Sequence, residues 1–132
     1  MNKFQALCEE LTNQIQESYE TGVTIEEAEK LAAKFLYAQI QVSEELRKSD
    51  LDARMRKSGT KTIKATVYLE AALKDPKKPS DVLLGALVDT NELVIGEQKR
   101  LDEAEVLKSS LDNYMSIFNN AHIYFRNIGK RE

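Results

Sequence analysis

Apolar residues recur at spacings of three and four over most of the chain, which is the mark of amphipathic helices. Phe4, Leu7, Cys8, Leu11, Ile15 and Tyr19 set the first, over about residues 2–19. Gly22, in Thr21-Gly22-Val23, is well placed for a left-handed C-terminal turn. Thr24-Ile25-Glu26-Glu27 is a capping box and opens a second helix. Ala28, Leu31, Ala32, Phe35, Leu36, Ile40, Val42 and Leu46 then line a broad face. The rhythm persists through Leu51 and Met55, so this helix is expected to reach Ser58-Gly59.

Thr60 to Leu73 is ambiguous. Thr60, Thr62, Ile63, Thr66, Val67 and Tyr68 favour strand by propensity, whereas Ile63, Val67 and Glu70-Ala71-Ala72-Leu73 fit helical spacing. Helix is the better reading, because the surroundings are helical and no strand partner is visible. Asp75-Pro76-Lys77-Lys78-Pro79 must end it. Ser80 is the expected N-cap of a third helix holding Val82, Leu83, Leu84, Leu87 and Val88. Thr90-Asn91-Glu92 either restarts the helix or is passed over, and from there to Ile128 only Gly96 interrupts good helix formers.

The last helix carries two rows at heptad spacing. Val94, Leu101, Lys108, Met115 and His122 are seven apart, and Ala104, Leu111, Phe118 and Phe125 form the companion row. Such rows make a coiled-coil-like seam. It can pack on the earlier helices or on another copy. A few long helices have limited means to cover all their apolar stripes alone, so the expectation leans to a homo-oligomer joined through Val94, Leu101, Ala104, Leu111, Met115, Phe118 and Phe125. The expected fold is all-α: one helical domain of few long helices, with residues 1–78 carrying a basic region and 79–132 the oligomerisation helices.

Composition narrows the function. The 132 residues are 42% hydrophobic and 31% charged, with one cysteine, one histidine and no tryptophan. No apolar run approaches the roughly 20 residues of a spanning helix, and no signal-peptide core follows Met1. These features point to a cytoplasmic protein away from the membrane. A single cysteine excludes an internal disulfide framework, and no phosphate loop, paired-histidine helix or nucleophile elbow is present. No enzyme, cofactor or metal is therefore expected. His122 has no carboxylate three or four residues away and reads as a hydrogen-bonded structural histidine. Cys8 reads as a small core residue.

The net charge of −3 hides a segregation. Residues 1–46 hold three basic and nine acidic residues, residues 47–78 ten basic and four acidic, and residues 79–125 three basic and eight acidic. If helix continues past Ser58, then Arg47, Arg54, Lys57, Lys61 and Lys64 fall within an arc of about 100°. A like-charged stripe costs repulsion unless a polyanion or an acidic partner meets it. In Arg56-Lys57-Ser58-Gly59-Thr60-Lys61 the glycine is either a helix C-cap or a point where backbone approaches a phosphate. Only Tyr68 offers an aromatic platform in the basic island, so contacts to the backbone of a nucleic acid are expected to dominate.

Leu51-Asp52-Ala53-Arg54-Met55, followed by Ser58-Gly59, resembles the DNA-binding stretch of the UvsY-type recombination mediators of phages. There a Leu-x-Ala-Arg-apolar run precedes Ser-Gly and further basic residues. The segment from Leu87 to Lys130 also has about that family's length and apolar rhythm. The chain departs in having Met55-Arg56-Lys57 where the family has aromatics, and Asp52 where it has a basic residue. The resemblance implies a ring-forming protein that binds single-stranded DNA without sequence preference. Such a protein loads a RecA-like recombinase onto DNA coated by single-strand-binding protein. It implies that Arg54, Lys57, Lys61 and Lys64 hold phosphates beside Ser58 and Gly59, assisted by Arg47, Lys48 and Arg56. The alternatives are a phage packaging or virion-assembly protein of the small-terminase or adaptor kind, and a helical protein-interaction module.

Overall fold

The computed structural model describes residues 3–74 and 79–130, and among these every regular element is an α-helix: α1 (Lys3–Thr21), α2 (Ile25–Lys74), α3 (Asp81–Asp89) and α4 (Glu92–Gly129). The all-α expectation holds. Local chemistry sets the ends. Gly22 has φ 76° and its N–H donates to the Ser18 carbonyl at 2.9 Å, closing α1 in the left-handed conformation that glycine adopts without cost. The Thr24 hydroxyl accepts from the Glu27 N–H at 3.1 Å, and Ser80 accepts from the Leu83 N–H at 3.2 Å. Between α3 and α4 the helix restarts. The Asn91 side chain accepts from the N–H groups of Leu93 at 2.9 Å and Val94 at 3.3 Å, and so caps α4. The expected proline stop at Asp75–Lys78 lies outside the described residues.

The Thr60–Leu73 stretch is helical, and α2 runs unbroken for 50 residues. Its threonines are accommodated by turning their hydroxyls inward. Thr60, Thr62 and Thr66 each donate to the carbonyl four residues back, at 2.8, 3.1 and 2.9 Å.

The chain divides into two compact units, Met1–Leu46 with Ser110–Glu132, and Arg47–Ser109. This boundary cuts through both long helices, not through the proline segment that seemed to separate the two functional halves in sequence.

The first unit has an aromatic centre. Phe35, Phe118 and Phe125 are fully buried, with Phe35 5.6 Å from Phe118 and 5.7 Å from Phe125 between ring centroids. Cys8, Leu11, Ala28, Ala32, Ala38, Val42, Leu111 and Ala121 complete this core. At its edge Gly129 lies against α2, where a Cβ would come within 2.8 Å of Glu29 Cγ. His122 donates from Nδ1 to the Ala32 carbonyl at 2.8 Å, and Cys8 is buried, so both have the structural character expected of them.

The second unit has a thinner seam. The inward positions of α2 are Ser49, Ala53 and Thr60, and those of α3 and α4 are Leu84, Val88, Val94, Leu101 and Ala104. Lys108, which interrupts the heptad row, reaches Asp50 at 2.7 Å.

The heptad seam expected to join subunits needs correction. Val94, Leu101, Ala104, Leu111, Phe118 and Phe125 are all buried within the single chain, and Met115 packs against its core. A side chain already out of water gains nothing by meeting a second copy, so this row is the inner face of α4.

Candidate nucleic-acid interface on α2

Arg47, Arg54, Lys57 and Lys61 lie on one continuous helix within the second unit, so they form one stripe unbroken at Gly59. Arg47, Arg54 and Lys61 are seven apart on its exposed side and span about 21 Å at 1.5 Å per residue. Lys57 is exposed beside them, and Lys48 is exposed farther round the helix.

The stripe is partly neutralised by acids four residues before two of the arginines. Arg54 pairs with Asp50 at 3.1 Å and Arg56 with Asp52 at 3.1 Å, each across one helical turn. Asp50 also receives the Lys108 ammonium, and that hydrogen bond, followed by the charge of Arg54, holds its carboxyl below the ordinary value of 3.8. Lys64 turns away from the row. It is half-buried, donates to Gln98 Oε1 at 3.4 Å, and helps line a cleft of about 340 Å³ that also holds Asp89 and Asp102. Arg47, Lys57 and Lys61 have no ion-pair partner among the described residues.

Ser58, Gly59 and Thr60 do not form a phosphate loop. Gly59 sits mid-helix with its backbone in the α-helical ladder, so it is neither a C-cap nor a source of free N–H groups. Thr60 is 3% exposed and its hydroxyl donates to Arg56 O. Ser58 remains exposed at the surface. The arrangement can hold a polyanion by its backbone charge, through guanidinium and ammonium groups on a rigid rail. It offers no row of stacking platforms: Tyr68 donates its hydroxyl to Asp81 at 3.1 Å.

Sequence reasoning missed a different feature of α2. The side opposite its inward seam is also apolar: Leu51, Met55 and Leu69 are 60%, 66% and 59% exposed. No group of three or more acidic, histidine or cysteine side chains among the described residues could hold a metal ion. Among the same residues, no helix is long and apolar enough to cross a membrane. A scan against protein-family models and searches of curated proteins and of solved structures find no match to this chain.

Proposed function

We propose that the protein is a non-enzymatic accessory factor that binds single-stranded DNA without sequence preference, acting as a recombination mediator toward a RecA-like recombinase and a single-strand-binding protein. The observation that carries this reading is the unbroken rail of Arg47, Arg54, Lys57 and Lys61 on the exposed side of α2, in a chain whose other large segments are acidic. Net negative charge elsewhere discourages general adhesion to nucleic acid and confines it to this helix. The family resemblance of the same stretch supplies the single-strand preference and the recombinase partner.

The test is fluorescence anisotropy with labelled single-stranded and duplex oligonucleotides over a salt series. Four phosphate contacts per chain predict a log K against log salt slope of roughly −3 on single strands. Lys57→Ala with Lys61→Ala should cut that slope by about half. An unchanged slope overturns the reading, and duplex preference turns it toward a packaging or assembly protein.

A groove in the first unit favours a second reading, a helical protein-interaction module. Leu36, Ile40 and Met115 line it, and the amide nitrogen of Gln39 is buried there without an acceptor among the described residues. An apolar peptide with a carbonyl to accept from that amide would fit. Absence of DNA binding at low salt would make this the better account.

A further inference from the structure

The exposed side of α2 carries a second heptad stripe. Leu51, Met55, Ser58, Thr62, Ala65 and Leu69 follow one another at spacings of four, three, four, three and four, and all six are exposed. No charge interrupts them in a chain that is 31% charged. The Thr62 hydroxyl is spent on the Ser58 carbonyl, so its methyl group is what it offers outward. Gly59 lies along one border of the stripe, and a Cβ there would meet nothing within 4 Å. A mid-helix glycine is less stabilising than alanine, and no described residue uses the space it leaves.

The stripe is self-complementary about residue 60. Reversing one copy against another sets Leu51 against Leu69, Met55 against Ala65, and Ser58 against Thr62. Small hydroxyl residues meet at the centre, Met55 meets the small Ala65 on either side, and leucine meets leucine at the ends. That is the pattern of an isologous interface, in which residue i contacts j and j contacts i. The borders follow from the same register. On one, Gly59 of the two copies come together and allow close approach of the backbones. On the other, Arg54 of one copy comes opposite Tyr68 of the second, whose hydroxyl is bound to the Asp81 carboxylate, so a cation meets an aromatic ring and an anion.

We propose that two copies of this chain pair antiparallel through the Leu51–Leu69 face of α2. The contact involves fewer residues than the 20–30 a side of a standard interface, so the dimer forms in a concentration-dependent way. Lys61 of the two copies meet on the border that also carries Arg47 and Arg54. Their repulsion limits the affinity, and their proximity joins two short cation rails into one long one. The pairing itself does not rest on the nucleic-acid reading.

Sedimentation velocity of the full chain without DNA, from micromolar to several hundred micromolar, tests it. A monomer–dimer equilibrium is expected, abolished by Ala65→Lys at unchanged helicity and melting temperature. Lys61→Gln should tighten the dimer several-fold while weakening DNA binding, which separates failure of this proposal from failure of the DNA reading. Register is read with a short bis-maleimide. Leu51→Cys and Leu69→Cys chains should cross-link when mixed and not when alone, the native Cys8 being buried. A chain monomeric throughout, an oligomer indifferent to Ala65→Lys, or Leu51→Cys cross-linking to itself would overturn the proposal.

Discussion

The two units spend the same helices differently. The first closes on three phenylalanines and a histidine bonded to a backbone carbonyl. The second closes on serine, alanine and threonine from α2 and sends Leu51, Met55 and Leu69 outward. A core of large rings removes much apolar area per residue. A seam of small residues removes less, and the helix keeps apolar surface for something else. The difference teaches where the large buried side chains gather: the first unit holds the aromatic core, and on the second, cations and an uncovered heptad stripe lie side by side on α2.

The comparison breaks most visibly at the aromatic core. Phe118→Ala should cost about 3–5 kcal/mol in chemical denaturation, since it deletes a ring that touches both Phe35 and Tyr114. The next effect is alkaline. Burial pushes the Cys8 thiol up to about 11 from 9.0. Its folded value lies above its unfolded one, so the stability it confers is whole below pH 9.0 and is lost as pH rises toward about 11. The full loss is roughly 2–3 kcal/mol. Denaturation midpoints across that range would show it, and a disulfide reagent should leave the native thiol untouched at neutral pH.

Changes in the second unit should be smaller. Asp50→Asn removes the acceptor of Lys108 and Arg54. The carboxyl of Asp50 is lowered in the folded chain, so its stabilising effect is present above pH 3.8 and fades as pH falls through the lower folded value. The variant should melt lower than the parent near neutrality, and the difference should vanish as pH falls, giving a flatter acid limb in a pH-dependent melt. Thr60→Val should be smallest, within about 1 kcal/mol, because the lost hydroxyl served only the helix carbonyl four residues back. A large loss there would show that the seam of the second unit is as demanding as the aromatic core of the first.

Much of the fold was legible because its signals are local. Gly22, Thr24 and Ser80 act on backbone groups within four residues, and the spacing of Leu7, Leu11 and Ile15 fixes a helical face whatever lies against it. Thr60–Leu73 was harder, since β-branched propensity opposed helical spacing, and hydroxyl bonds to the preceding turn resolved the conflict. The basic residues were legible as a group. Their differing availability was not, because Lys64 meets a residue 34 positions away and Lys108 meets one 58 positions away.

The sequence by itself determined that this protein is helical, where most of its helices begin and end, and that its positive charge gathers on one of them. Only the tertiary structure decided which apolar rows face inward. Periodicity defines a face but not what covers it. The row from Val94 to Phe125 and the row from Leu51 to Leu69 have the same spacing, and the first is buried in its own chain while the second is left in water. That outcome depends on which helices the chain brings together across long separations, and no local pattern records it.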